Sequence, residues 1–448
     1  MSNATLQVGG GNWAAQDGKL LGYAVEPTSG RYLAREFTVN RNSSKWVLGS
    51  DGYLYEVPAD QPALEYYSDG TFRGALVEPQ SINLCKQSED IGTIWAKSND
   101  TTVTTNAANA PDGTSTADKL GDDGATGTGN VWVSQAITVS VNTKYTASVF
   151  LKSDGLSFAL LQADGYDGIA QANQFFGLSG AGSTGTGTNL DDSRIEAYPN
   201  GWYRCSITWT QGAADTSFTF RVWVANSISS LTVDLDGTSS IFVWGAQVEA
   251  SPIATSYIPT TTGSVTRVKD DIYLTSASSL IGQTEGTLFV EVDWQDSGND
   301  QIILETDDGT LNNRIAIYNN SSNNQLRMFV NSNNVVLTNQ GQSSTAYTGI
   351  QKIAFAYKTD DFELYRNGAS ISSDTSGSLA SLGTLTDVDF GQTYASTAQA
   401  NMWIRAVALF TTRLSAAEIS QLTVTPSAQQ FIFNLSNEVF STSTLTFS

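Results

Sequence analysis

The feature that most restricts this chain is an alternation of side chains with a period of two, repeated in short runs along most of its length. Lys144–Leu151, Trp202–Trp209 and Phe218–Val224 all show it, and stretches rich in Gly, Ser and Asp separate them. Successive side chains of a strand point to opposite faces, so such runs suit half-buried sheet and fit poorly on a helix, whose repeat is about 3.6 residues. The pattern returns in Thr287–Trp294, Arg314–Tyr318, Gln325–Val330, Lys352–Tyr357, Phe362–Gly368 and Met402–Phe410. One stretch reads as helix, Ser415–Leu422, which opens with Ser415 and Glu418 at capping-box spacing. The sequence therefore predicts an all-β protein of tandem antiparallel β-sandwiches, jelly-roll or concanavalin-like, preceded by an irregular extended N-terminal attachment region.

Domain limits follow from where the alternation starts and stops. Residues 1–80 carry short extended signals, such as Trp46-Val47-Leu48 and Tyr53–Val57, broken by Ser50-Asp51-Gly52 and Ser68-Asp69-Gly70. They read as an arm that needs a partner. Residues 81–265 predict a first sandwich. A linker with Ser251-Pro252, Ile258-Pro259 and Thr260–Gly263 closes it, since Pro removes ladder donors and Gly loosens the backbone. Residues 280–425 predict a second sandwich, and 426–448 a polar tail whose run Phe431-Ile432-Phe433 is suited to pairing with a neighbouring chain.

Charge and rare residues narrow the function. The 448 residues carry a net charge of -21 and show no Lys/Arg stripe, so a phosphate backbone would be repelled and no nucleic-acid partner is expected. Histidine is absent, which removes the commonest general base and metal ligand, and with them Ser-His-Asp, Cys-His and His-zinc chemistry. Cys85 and Cys205 lack the paired spacing of a zinc site; two buried free thiols are the expectation and a disulfide the alternative. The N-terminus has neither a basic segment nor an apolar core, and no long apolar stretch follows, so neither a signal peptide nor membrane insertion is expected.

Three stretches carry a family resemblance. Residues 46–84, from Trp46–Gly52 through Glu56–Pro62 to Leu76–Leu84, resemble the N-terminal segment of tailed-bacteriophage head-spike and tail-fibre proteins, with Ser81-Ile82 where those proteins usually have Arg-Thr. Ser88-Glu89-Asp90, Trp95, Ala110–Thr114, Ala117–Leu120, Asn200–Arg204, Trp244–Glu249 and Thr255–Thr260 are similar, in this order, to the carbohydrate-binding-module-like sandwich of such appendages. Phe362–Gly368, Trp403–Phe410 and Leu414–Ile419 resemble laminin-G-like and concanavalin-A-like domains. The resemblance implies a head or tail fibre or spike subunit at the virion surface. It further implies attachment to capsid or tail proteins through the N-terminal region, homotrimeric assembly, and display of domains for a host cell-surface glycan.

Chemistry on the chain points to binding over catalysis. Glu291, Asp293 and Asp296 resemble the Glu-X-Asp-X-X-Glu strand of concanavalin-like β-glucanases, whose retaining mechanism needs two carboxyls about 5–5.5 Å apart. Alternation places Glu291 and Asp293 opposite Leu288, Val290, Val292 and Trp294, on a solvated face, and no second acidic cluster accompanies them. No enzyme is expected; a capsule-polysaccharide glycosidase and a cellular lectin or adhesin are the alternatives. An aromatic face suits the C–H face of a sugar ring. Trp202, Trp209, Trp223, Trp244 and Trp403 lie within strands and read as core, leaving Trp132 and Tyr166, in loop contexts, as candidate binding residues. No cofactor is expected. Asp164/Asp167, Asp191/Asp192, Asp234/Asp236 and Asp307/Asp308 are candidates for calcium, although Asp-Gly pairs are first of all turn formers.

Overall fold

The computed structural model describes residues 4–9, 14–16, 19–26, 30–295, 300–343, 349–395 and 397–424. The alternating runs form antiparallel strands: Lys144–Ser153, Trp202–Thr210 and Ser217–Ala225 each extend a predicted run by one or two residues. The helix Ala416–Thr423 follows the reciprocal cap between Ser415 and Glu418. The apolar run Phe431-Ile432-Phe433 lies outside the described residues.

The two sandwiches are not laid end to end along the sequence. One is built entirely from the middle of the chain. Its first sheet orders Ala96–Lys97, Trp132–Thr138, Ser217–Ala225, Phe158–Asp164, Gln171–Gly177 and Ser183–Thr188; its second orders Thr101–Ala108, Ala117–Asp122, Ser240–Glu249, Lys144–Ser153, Trp202–Thr210 and Asp192–Ala197. Inward positions of both fill one core around Val133, Leu161, Phe176, Trp209, Phe220 and Val243, and Cys85 and Cys205 lie in it as buried free thiols. A bulge at Gly245, where φ is +66° and an added Cβ would stand 3.0 Å from the Phe150 ring, lets Trp244 pack on Phe150 and Tyr257. Tyr257 belongs to the segment expected as a loose linker, but Ile253, Thr255, Tyr257, Ile258 and Thr260 are all buried.

The other sandwich combines the two ends of the described chain. Glu285–Gln295 pairs with Gly349–Lys358 on one side and Asn401–Phe410 on the other. Residues 1–80, expected as a separate irregular arm, supply the partners that Asn401–Phe410 still lacks. Leu6–Gly9 runs beside Ala406–Leu409, and Phe72–Val77 beside Met402–Ile404. The strand Tyr32–Asn40 joins two parts of the sheet, pairing with Lys19–Val25 through its first six residues and with Asp271–Leu274 through its last three. The reason is twofold: an unpaired edge leaves a row of N–H and C=O groups to satisfy, and Leu6, Val8, Leu20, Phe37 and Val39 enter the core of Val290, Phe355 and Phe390. The middle sandwich is thus an insertion between strands of the outer one.

The ingoing and outgoing chains of the insertion zip together, Ser81–Asn83 against Val265–Arg267. Asn83 fastens the joint: its amide donates to the carbonyls of Ala246 and Ile258 at 3.1 and 2.8 Å, and its oxygen accepts from the N–H groups of Cys85 and Val248. Beside this joint lie five fully buried ionic side chains. Asp270 pairs with Arg41 at 2.9 Å and with Lys45; Glu78 pairs with Lys45 at 3.1 Å and Arg267 at 2.9 Å. Burial alone would raise the Glu78 carboxyl, but Arg267 and Lys45 outweigh it and hold the group down at about 2. Burial lowers Lys45 against the opposing pull of Asp270 and Glu78.

Removing one partner from such a cluster leaves an uncompensated buried charge, which costs about 3–5 kcal/mol. Asp270→Asn is therefore expected to lower the unfolding free energy read from urea melts by that amount, and a loss below about 1 kcal/mol would mean water reaches the cluster. The pH profile follows from groups of opposite sign. Glu65 and Glu305 are raised by burial to about 7, so the stability they contribute is complete below 4.5, their ordinary value, and is lost as pH rises through 7. Glu78, depressed to about 2, contributes stability above 4.5 that is lost as pH falls through 2. Thermal melts across pH should peak near pH ~5 and decline on both sides.

Candidate functional site

The first sheet of the inserted sandwich turns one face to the core and leaves the other partly open, with Ser134 and Gln162 buried on it. Cross-strand register places Trp132, Trp223, Leu160 and Phe175 in one row of that open face. Ser134, Arg221, Gln162 and Asn173 form the next row, and Ala136, Thr219, Asp164 and Gln171 the third. The sequence produces this by parity: in Ser217–Ala225 the positions opposite Phe218, Phe220, Val222 and Val224 are Ser217, Thr219, Arg221, Trp223 and Ala225.

The apolar row is a half-open aromatic platform. The Trp132 and Trp223 rings lie 5.7 Å apart between centroids, tilted by 49°. Leu160, Phe175 and Ala225 are covered by Phe158, Trp223 and Leu231, so the segment that carries Leu231 walls one end of the platform. The polar rows form a closed hydrogen-bond circuit. Arg221 donates to Gln162 Oε1 at 3.1 Å and pairs with Asp164 Oδ2 at 2.7 Å. Gln162 Nε2 donates to Gln171 Oε1 at 3.0 Å, and Gln171 Nε2 to Asp164 Oδ1 at 2.9 Å. The Trp223 indole N–H also donates to Gln162 Oε1, at 3.2 Å, and the Arg221 guanidinium stands 5.2 Å above the Trp132 ring. Both indoles therefore sit in fixed orientations before any ligand arrives, with Gln171 exposed beside them.

Trp132, a sequence candidate, lies on this face as the first residue of its strand. Trp223, expected as core, also lies on it, half-buried, because the alternation of its strand sends it outward with Arg221. Tyr166 does not join them: its ring packs on the core between the sheets, and burial, helped by Asp167 and Asp191, raises its phenol. Trp202, Trp209, Trp244 and Trp403 are buried as expected.

The carboxylate strand has a structural task. Glu291 and Asp293 do face away from the core of Val290 and Val292, but the hairpin of Leu64–Tyr66 and Phe72–Val77 lies over that side instead of water. Asp293 accepts from Arg73 and Tyr67, both at 2.9 Å, and Glu291 pairs with Arg405 at 2.9 Å and Lys352 at 3.5 Å. Asp296 lies outside the described residues. Arg73 itself stacks 3.4 Å above the centre of the Trp403 ring, whose N–H donates to the buried Glu65. Gly74, at φ +151°, allows this close approach, since a Cβ there would stand 2.8 Å from Trp403.

Several of the acids considered for calcium take part in turns and ion pairs. Asp191 holds Lys144 at 3.3 Å, Asp192 holds Arg194 at 2.8 Å, Asp236 closes a turn onto Thr238, and Asp308 accepts from Asn313 at 2.7 Å. Among the described residues no group of three or more acidic or Cys side chains is arranged to hold a metal ion, and no helix is long and apolar enough to cross a membrane. A cleft of about 420 Å³ beside the joint, lined by Ile82, Leu84, Val139 and Tyr145, offers no ionisable side chain other than a phenol already bonded to the Ser140 N–H.

No family model matches the sequence, and no curated protein does. Among solved structures, the chain is similar to the CBM40 module of Ruminococcus gnavus IT-sialidase (14% identity over 33% of this chain and 86% of that one, TM-score 0.30). It is also similar to the NanB sialidase of Streptococcus pneumoniae (13%, 35% and 27%, TM-score 0.30). A third likeness is to a structure described by the cell entry of botulinum neurotoxin type C through two ganglioside molecules (15%, 35% and 39%, TM-score 0.29). Likeness at this level says nothing of ligand or chemistry.

Asp293 supplies the charge that holds Arg73 and Tyr67, and a hydrogen bond to a charged group contributes about 1.5–3 kcal/mol. Asp293→Asn should lower the unfolding free energy by that amount; an unchanged denaturation midpoint would show that the hairpin does not depend on it.

Proposed function

We propose that this chain is a subunit of a phage head or tail appendage, displayed on the virion surface, whose inserted sandwich binds a host-surface glycan across the face of Trp132 and Trp223. The observation that carries the binding part is the open face itself. Two indoles offer apolar ring surface for the C–H face of a sugar, and beside them the half-buried Arg221 and Asp164 and the exposed Gln171, tied together by the buried Gln162, present donors and acceptors. A sugar hydroxyl both donates and accepts, so it suits such a set. Because the side chains are already bonded to one another, little rotamer entropy is lost on binding. The virion part rests on the resemblance of residues 46–84 to appendage proteins, which also supports a homotrimer and contacts with capsid or tail proteins. No catalytic step is proposed, since Glu291 and Asp293 are each committed to cations.

Trp132→Ala and Trp223→Ala should each weaken binding to immobilised host-surface polysaccharide by at least about tenfold, a loss of roughly 1.4 kcal/mol, while thermal melts show the fold retained. Undiminished binding in both variants would move the site elsewhere. For the virion part, an antibody raised against residues 280–425 should label intact phage in immunogold electron microscopy, and unlabelled virions would remove that half of the proposal.

A further inference from the structure

We infer that the face of Trp132 and Trp223 takes uncharged glycans, built of hexoses and N-acetylhexosamines, and rejects carboxylated or sulfated ones; this rests on the glycan-binding reading of that face. A site for an acidic sugar needs a cation that is free to meet it. The outward positions of this sheet hold one base, Arg221, and it is engaged on three sides: Asp164 at 2.7 Å, Gln162 at 3.1 Å, and the Trp132 ring 5.2 Å beneath it. An incoming carboxylate would have to displace Asp164, trading one anion for another at no gain. The guanidinium hydrogens that remain suit neutral hydroxyl oxygens.

The surroundings add repulsion. Asp191, beside Tyr166, is offset by Lys144 at 3.3 Å, but where the strand Phe158–Asp164 ends Asp215 accepts from the Gly168 N–H at 2.8 Å and Asp167 acts on Tyr166. These carboxylates gather at the Asp164 end of the face, where no cation other than Arg221 is found among its outward positions. The repulsion such exposed charges exert reaches about one Debye length, ~8 Å at physiological salt, and weakens as salt rises. The chain as a whole, at net charge -21, repels anions at longer range.

The test uses the full chain on an array of neutral and acidic bacterial glycans, with sialyllactose and hexagalacturonate included, at about 50 and about 500 mM NaCl. Signals confined to neutral glycans, indifferent to salt and lost in Trp132→Ala and Trp223→Ala, are expected. Tighter binding of acidic glycans, weakening as salt rises, would overturn this inference and leave the glycan-binding reading in place. Absent signals, or signals that survive both tryptophan variants, would overturn that reading and the inference with it. Asp164→Asn supplies a gain that misfolding cannot imitate: it frees Arg221 and should raise affinity for hexagalacturonate at low salt by at least about tenfold. No gain would overturn the role given to the Asp164–Arg221 pair.

Discussion

Five buried charges at the foot of the insertion hold this architecture together. Arg41 and Lys45 come from the N-terminal segment, Glu78 from the chain about to enter the insertion, and Arg267 and Asp270 from the chain returning out of it. Taking such groups out of water costs several kcal/mol each, and only well-placed counter-charges offset it. That makes the cluster a poor source of raw stability and a good source of uniqueness: any other register of the joint would leave a charge buried alone. The neighbouring Asn83, with its oxygen and amide engaged on both sides, imposes the same requirement through hydrogen bonds.

A second polar layer repeats the logic farther out. Arg73, stacked on Trp403 and bonded to Asp293, also reaches Glu196 of the inserted sandwich at 3.4 Å. The hairpin of Lys45–Leu48 and Leu54–Val57 works beside it, with Val47 and Val57 packed on Trp403 and Leu48 and Leu54 on Phe150 and Trp244. One short ribbon thus serves two cores. Its alternation therefore reads as apolar on both faces, which is why residues 45–57 look irregular when judged against a single buried side.

Much of the fold was legible in local pattern. The strands of the inserted sandwich and the cap of the helix Ala416–Thr423 follow from spacing alone, because both depend on neighbours in sequence. The pairing of Leu6–Gly9 with residues four hundred positions later was not legible, since a free edge on Asn401–Phe410 leaves no mark in either segment. The site was half legible. Trp132 was within reach as an aromatic that follows the turn-forming run Gly127–Asn130, whereas Trp223 was hidden by its place in a strand of apolar residues. The missing signal was parity: Trp223 shares its side of the strand with Arg221 and Thr219, not with Phe220 and Val222. Period two tells which residues travel together; only the packing of the second sheet decides which company is covered.

The zipped joint at Ser81–Asn83 and Val265–Arg267 carries a further consequence. Neighbouring strands stand about 4.8 Å apart, so the inserted sandwich leaves the outer one through a doorway one ladder wide. Beside this stem the framework also touches the module through the ribbon of Lys45–Leu48 and Leu54–Val57 and through the Arg73 side chain, so Phe150, Trp244 and Glu196 are parts of the module it depends on. Within those limits the module behaves as a cassette: a lineage can exchange its far sheet and loops by recombination at the stem while the framework stays as it was.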